Sequence, residues 1–196
     1  MMKVLVAGTV ALAMAGPALA QKSSQAKTST PAASKQASDQ KFVMDAAKGG
    51  MAEVELGKLA QDKASNEQVK DFGKRMVDDH SKANDELKTL AKNKNITLPS
   101  DLDPKDKALK DRLSKLSGPA FDHAYMSAML RDHKKDVSEF KRESTSGHDA
   151  DVKAFASKTL PTLEEHLKLA QDAEKAVGTS GTAKSGKKVG TSGVKK

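Results

Sequence analysis

The sequence contains no cysteine and no tryptophan, and only one of its 196 residues is tyrosine. Without cysteine the chain has neither disulfides nor thiolate metal ligands, so its stability must come from packing. With so few aromatic rings it offers no row of side chains on which bases stack, which argues against a nucleic-acid-binding surface. The sequence also lacks a Gly-rich phosphate loop and a Gly-x-Ser-x-Gly motif, so two common kinds of catalytic site are excluded.

Long apolar runs are scarce as well, and the clearest one lies at the N terminus. Lys3, the apolar stretch 4–16 and the small-residue box Ala18-Leu19-Ala20 have the layout of a secretory signal. The apolar stretch is shorter than the roughly 20 residues that a membrane-spanning helix needs. We therefore expect a signal peptide at 1–20, no transmembrane segment, and an exported protein that is periplasmic or associated with the outer membrane.

The formal charge of +8 is carried by the two ends of the chain. One lysine lies in the signal, three lie at 21–38 and five lie at 176–196, which leaves 39–175 at about −1. Both basic segments lack apolar residues to bury, so we expect them to be disordered and to contact anionic envelope polymers weakly. The folded part is predicted to be one domain at 39–175, with no nucleic-acid partner and with protein partners left open.

Apolar residues within 39–175 recur at intervals of three and four, and breakers fall only between the periodic runs, so helices are expected throughout. The predicted helices are Ser38 to Lys63, the capping box Ser65-x-x-Gln68 to Lys92, Asp103-Pro104 to Gly118, Pro119 to Ser144, and the turn Gly147-His148-Asp149 to Gly178. Four long helices with two short turns and one long crossover predict an all-α, ferritin-like antiparallel four-helix bundle. The crossover, at 93–118, carries the short helix.

Each long helix has one inward-facing stripe of apolar or small residues, and each stripe has one strongly polar interruption. The four interruptions are Glu53, His80, His133 and His166. A buried carboxylate without a partner is costly, so Glu53 requires a proton, a histidinium or a metal. Three imidazoles and one carboxylate suit Fe, Mn, Zn and Cu about equally, and we take these four residues as candidate ligands of one transition-metal ion. The alternative is that the histidines are purely structural, each with an ordinary hydrogen-bond partner.

The rise of the helix tests whether the four candidates lie at one level of the bundle. Counted from the first turn, Glu53 and His80 differ by three residues, or about 4.5 Å along the axis. Counted from the second turn, His133 and His166 differ by five residues, or about 7.5 Å. Pro161 offers a kink that would reduce this second offset.

An aspartate directly precedes two of the candidate ligands. Asp79 precedes His80 and Asp132 precedes His133, which places both aspartates on the flanks of their helices. A carboxylate in such a position is a candidate acceptor for the hydrogen bond that orients a ligand imidazole.

Four motifs follow one another along the predicted bundle. They are Gly49-Gly50-Met51-Ala52-Glu53, Met76-Val77-Asp78-Asp79-His80, Phe121-Asp122-His123-Ala124-Tyr125 and Leu160-Pro161-x-Leu163-x-x-His166. From about Lys41 to Ala173 this pattern resembles the exported bacterial family known as domain of unknown function 4142. The resemblance implies a ferritin-like fold in a protein often described as belonging to the outer membrane, and it brings no established activity. It marks the four candidate ligands again and adds Asp122 and Tyr125.

The sequence departs from the di-iron proteins of the ferritin-like class, which place Glu-x-x-His on two helices. Val77 and Leu163 stand three residues before His80 and His166, so that carboxylate set is incomplete. A metal-binding or metal-buffering bundle is therefore our first hypothesis. A non-catalytic envelope or stress-related interaction protein is the second, and a metal-dependent oxidoreductase is the third, so an enzyme is the less favoured interpretation.

Overall fold

A computed structural model describes residues 31–183, with side-chain burial given for 36–178. The predicted signal peptide, the first part of the predicted linker and the end of the basic tail lie outside these residues. The described part is helical and contains no strand. Its helices are α1 Pro31–Lys63, α2 Glu67–Asn93, α3 Pro104–Ser114, α4 Gly118–Ser146 and α5 Ala150–Ala183. Among them, no helix combines the length and the hydropathy that a membrane crossing needs.

The four long helices form two antiparallel hairpins, α1 with α2 and α4 with α5. The hairpins pack so that α1 lies against α4 and α2 lies against α5. The crossover at 94–117 runs from the end of α2 to the start of α4, and its short helix α3 contacts α1 and α4. This confirms the predicted four-helix bundle and its crossover, the connectivity of the ferritin-like class.

Several helix ends differ from the sequence prediction. α1 begins at Pro31 instead of Ser38, and α5 continues beyond Gly178. Proline is well suited to a first helical turn, and a single glycine lowers helix stability without ending the helix. α3 ends at Ser114 instead of Gly118, and Gly118, with a φ of 60°, is the first residue of α4.

A carboxylate from the opposite hairpin holds each hairpin turn. Asp122 on α4 accepts hydrogen bonds from the backbone N–H groups of Ser65 and Asn66, both at 3.0 Å, and from the Ser65 hydroxyl. The predicted capping box at Ser65 is therefore wrong, because Asn66 is the N-cap of α2. At the other end, Asp39 on α1 accepts from the N–H of His148 at 3.1 Å, beside the start of α5. These paired contacts fix how the two hairpins dock.

The core consists of two apolar clusters separated by a polar layer. The first cluster contains Leu56, Phe72, Met76, Phe121, Tyr125, Met126 and Met129. The second contains Phe42, Val43, Leu87, Phe140, Phe155 and Leu163. On every long helix, the stripe passes from one cluster to the other through one residue of the polar layer, which consists of Glu53, His80, His133 and His166.

Candidate metal centre

The structure brings the four polar interruptions together in the bundle interior. Glu53 is 3 % exposed, His80 is 6 % exposed, and His133 and His166 are fully buried. Glu53 Oε2 lies 3.0 Å from His80 Nδ1, and Glu53 Oε1 lies 3.4 Å from His133 Nε2. The centroids of the three imidazole rings are 5.2 to 5.9 Å apart. All four helices therefore contribute to one compact polar layer.

The axial offsets expected from the sequence do not separate these side chains. In an α-helix the Cα–Cβ bond tilts toward the helix N terminus. His133 therefore leans away from the α4–α5 turn, while His166, on the antiparallel helix, leans toward it. The two side chains approach each other from different levels, and their ring centroids are 5.4 Å apart. Helix α5 runs through Pro161 as one continuous element.

Each histidine has one ring nitrogen, here called its outer nitrogen, in contact with a polar group outside the cluster of three imidazoles. His133 Nδ1 donates a hydrogen bond to the carbonyl oxygen of Met129 at 3.0 Å. His166 Nε2 lies 3.0 Å from the carboxylate of Asp79, which lies on the neighbouring helix α2. His80 Nδ1 has Glu53 as its outer contact. A carbonyl only accepts, and a carboxylate favours a donor, so the contacts with Met129 and Asp79 favour the tautomers of His133 and His166 that leave a lone pair on the opposite nitrogen.

Those opposite nitrogens are buried and have no hydrogen-bond partner. They are His80 Nε2, His133 Nε2 and His166 Nδ1. Glu53 Oε1 is also buried without a hydrogen-bond partner. One ligand nitrogen from each of the three histidines lies within 4.8 Å of the others. Around a tetrahedral ion with bonds of about 2.0 to 2.1 Å, ligand atoms are roughly 3.4 Å apart, so the nitrogens would have to approach one another by up to about 1.4 Å to complete the site.

Burial sets the electrostatics of this layer. It lowers the pKa of His80 well below its ordinary value, and the neighbouring His166 and His133 lower it further. Burial likewise lowers the pKa of His166, and that of His133 to about 4. The imidazoles are thus neutral, which is the form that binds metals.

The pKa of Glu53 is shifted in the opposite direction. Burial raises it well above its ordinary value, and the carboxylates of Asp136, Asp132 and Asp106 raise it further. A cation beside Glu53 would relieve both effects.

Sequence reasoning identified Asp79 as a candidate acceptor for a ligand imidazole but not which imidazole it contacts. Asp79 contacts His166 across the α2–α5 interface rather than its neighbour His80. Asp132, the other predicted acceptor, contacts no histidine, because Met129 occupies the outer nitrogen of His133. The ring of Phe72 packs edge-on against both His133 and His166, with centroids 5.8 and 6.4 Å away. The apolar periodicity of α2 marks Phe72 as a core residue but does not reveal these neighbours.

The two residues added by the family resemblance have different positions. Asp122 is the tertiary cap described above and lies at the end of the bundle. Tyr125 is fully buried and stacks on Phe121 with centroids 5.5 Å apart, and its hydroxyl has no hydrogen-bond partner among the described residues. Burial raises the pKa of Tyr125, and the nearby charge of Glu53 acts in the same direction.

The fold and this layer define an all-helical bundle with a buried histidine cluster at its centre. The family model described as a domain of unknown function (DUF4142) matches residues 22–173. The match covers most of the chain, so the protein belongs to this family, as the motifs indicated. Among curated proteins, none matches the chain.

Solved structures of another family, DUF305, share the fold. A DUF305 protein from Streptomyces coelicolor, thought to be secreted, is 17 % identical with a TM-score of 0.62, over 72 % of this chain and 92 % of that one. A DUF305 fragment from Deinococcus radiodurans is 12 % identical with a TM-score of 0.61, over 72 % of this chain and 96 % of the fragment. At these identities the similarity shows the fold alone.

Proposed function

We propose that this domain binds one transition-metal ion in its polar layer. The ligands are the unpartnered nitrogens of His80, His133 and His166, with Glu53 Oε1 as the fourth. The observation that carries the proposal is the division of each imidazole into a partnered outer nitrogen and an unpartnered inner nitrogen. A buried polar atom without a hydrogen-bond partner lowers the stability of the folded state by about 1 to 3 kcal/mol. Several such atoms lie in this layer, and a bound ion would remove the penalty.

The ligand set narrows the choice of ion. Three neutral imidazoles favour Zn, Cu and Fe over Mg and Ca, which prefer oxygen ligands, and the single carboxylate leaves Mn as the weakest of the four candidates. The described residues supply no Glu-x-x-His pair, so a di-iron centre does not fit. Binding, storage or buffering of one ion is therefore the activity that these residues support.

Export is part of the same proposal. The signal-like layout of residues 1–20 supports it, and so does the fold shared with a Streptomyces coelicolor protein thought to be secreted. We assign the protein to the periplasm or the outer membrane, where it would bind metal taken from that compartment.

A structural role for the histidines is the second candidate function. It is favoured by the same outer contacts, since His80, His133 and His166 each have one ordinary partner. On this interpretation the bundle is an envelope interaction protein, and its polar layer specifies how the helices align.

Metal content distinguishes the two candidates. Metal-free protein is mixed with Zn²⁺ or Cu²⁺, desalted and measured by elemental analysis. The metal-site proposal expects one ion per chain in the wild type and less than about one tenth of that in His80→Ala and His166→Ala, because a site that loses one of three imidazoles loses most of its affinity. Circular dichroism checks that both variants keep the helical fold.

The matched control is His123→Ala, since His123 is exposed on the same helix as His133. This variant should retain one ion per chain. Absence of stoichiometric metal from the wild type under all of these conditions would reject the metal site in favour of the structural role.

A further inference from the structure

A cleft leads from the surface to Glu53 along the α1–α4 interface. Its volume is about 250 Å³, and the crossover forms part of its wall. Seven carboxylates and four lysines line it, so the wall carries an excess of negative charge. The cleft ends at the buried Glu53, whose Oε1 has no hydrogen-bond partner.

The cations of this cleft leave some carboxylates unpaired. Lys41 pairs with Asp45, and Lys135 lies 2.9 Å from Glu139. Lys135 is only a distant neighbour of Asp136, at 3.8 Å. Asp132 forms no hydrogen bond or ion pair with any residue that the structure describes. The wall that contains Glu53 therefore also contains an unpaired carboxylate.

A smaller cavity adjoins the end of the cleft at Glu53. This cavity, of about 30 Å³, shares Gly49, Glu53 and Asp136 with the cleft and is also lined by His80. A volume of this size accommodates about one water molecule or one ion. Only these shared side chains and backbone separate the acidic cleft from the cavity that His80 lines.

On the opposite side of the bundle, the groove formed by described residues differs from this cleft in its lining. A groove along the α2–α5 interface reaches Phe72 and Asp79, and none of the four polar-layer residues lines it. Cross-helix ion pairs at 2.7 Å between Arg75 and Glu165 and at 2.8 Å between Lys158 and Glu86 bridge that interface.

We propose that the α1–α4 cleft is the entry route by which a hydrated divalent transition-metal cation reaches the histidine layer. Asp132 and Asp136 guide the cation, and Glu53 is its first inner ligand. This inference rests on the proposed function and assigns a path to that site. A negatively charged wall of low dielectric concentrates cations and accelerates their association.

The test uses Co²⁺ as the probe, because its visible absorption reports tetrahedral coordination. Stopped-flow mixing of Co²⁺ with the metal-free protein gives an association rate constant at several salt concentrations. In the variant Asp132→Asn/Asp136→Asn we expect this constant to fall by at least about 10-fold at low salt and to depend less on salt. One Co²⁺ per chain should still bind at equilibrium.

The matched control removes the same number of charges from the opposite interface. Asp78→Asn/Asp172→Asn alters two carboxylates that line the α2–α5 groove, and its association rate constant should stay within about twofold of the wild-type value. An equal slowing in this control would attribute the effect to net charge and would overturn the route.

A steric variant tests the route without altering charge. A Cβ added to Gly49 would meet no atom within 4 Å, and Gly49 lies in the wall shared by the cleft and the inner cavity. Gly49→Leu should slow association and dissociation by similar factors while leaving the affinity nearly unchanged.

Two outcomes would overturn the inference, and they distinguish failure of the route from failure of the metal site. If Co²⁺ binds and both cleft variants load at the wild-type rate, the route is wrong while the metal site stands. If the wild type develops no Co²⁺ absorption, the metal site fails and the route fails with it.

Discussion

The α2–α5 and α1–α4 interfaces flank the same polar layer and support it in different ways. Across α2–α5, Asp79 contacts His166, and Arg75 lies 3.6 Å from Asp79 while also binding Glu165. Across α1–α4, no lysine or arginine that the structure describes forms an ion pair from one helix to the other. The α2–α5 interface therefore holds His166 in place, whereas the carboxylates at the α1–α4 interface repel one another.

This difference shows how one bundle combines rigidity with access. A ligand imidazole must be oriented, which requires a fixed acceptor on its far side. An ion must also enter, which requires an opening and a favourable charge. In the proposed site and entry route, these two requirements fall on opposite interfaces, so each can be altered separately.

The largest effect is expected at Glu53, which belongs to the polar layer and also ends the α1–α4 cleft. Glu53→Gln keeps the shape of the side chain but removes its negative charge. We expect the metal affinity to fall by at least about 100-fold, equivalent to about 2.7 kcal/mol. Because burial raises the pKa of Glu53, metal binding should release more protons from the wild type than from the variant.

Competition titration gives the affinity, and calorimetry in buffers of different ionisation enthalpy gives the number of protons released. Glu55→Gln is the control, because Glu55 is on the same helix but binds Lys58 and Lys110 at the surface. An unchanged affinity in Glu53→Gln would remove Glu53 from the ligand set.

The next effect breaks the support on the α2–α5 side. Asp79→Asn weakens the contact with His166 while preserving size, and loss of such an outer partner lowers metal affinity by about 10- to 100-fold. The measurement is the same competition titration. Asp78→Asn is the control, since Asp78 is paired at the surface with Lys74. Equal affinities for the two variants would mean that His166 needs no outer acceptor.

At the α1–α4 side a smaller effect is expected, and it is an increase in the stability of the metal-free protein. Burial and the neighbouring Asp132 and Glu139 raise the pKa of Asp136 to about 7. At pH 8 the ionised carboxylate is disfavoured in the folded state, so Asp136→Asn should raise the free energy of unfolding of the metal-free protein by about 1 to 2 kcal/mol.

The pH dependence supplies the check. Below pH 7 the folded wild type takes up a proton at Asp136, while the unfolded chain stays ionised until about pH 4. The wild type therefore regains stability as the pH falls, and the advantage of Asp136→Asn should shrink between pH 8 and pH 5. Urea titrations at both pH values test this. An advantage that grows toward pH 5 would contradict the assignment.

The smallest effect is expected from the ion pairs at the surface of the α2–α5 interface. The side chains of Arg75 and Glu165 are 42 % and 54 % exposed, so solvent screens their attraction. A double-mutant cycle with Arg75→Ala and Glu165→Ala should give a coupling free energy of about 0.5 kcal/mol. A coupling above about 2 kcal/mol would show that this interface is held by surface charge rather than by the contact between Asp79 and His166.

The helices and the polar layer were predictable because both are properties of a single periodic pattern. Each stripe shows its polar interruption without reference to other helices, and the long segment between α2 and α4 dictates a crossover. The four residues Glu53, His80, His133 and His166 were therefore chosen before any contact was known. That they bind a metal stays a prediction.

Contacts between helices were less predictable because they depend on how each helix is rotated and tilted. Asp79 looked like a flank residue, and the flank it occupies happens to face His166. The sequence predicts Ser65 as the N-cap of α2, but in the structure Ser65 donates hydrogen bonds to Asp122 on another helix. The axial offset of His133 and His166 was overestimated, since counting Cα levels neglects the opposite lean of side chains on antiparallel helices.

The division of the ligand candidates between the hairpins determines when an ion can first be held. Glu53 and His80 belong to the first hairpin, and His133 and His166 belong to the second, so neither hairpin alone presents more than two of the four groups. On the proposed function, a chain exported before it folds would carry no ion with it. It would bind its ion at the destination, once the second hairpin docks onto the first.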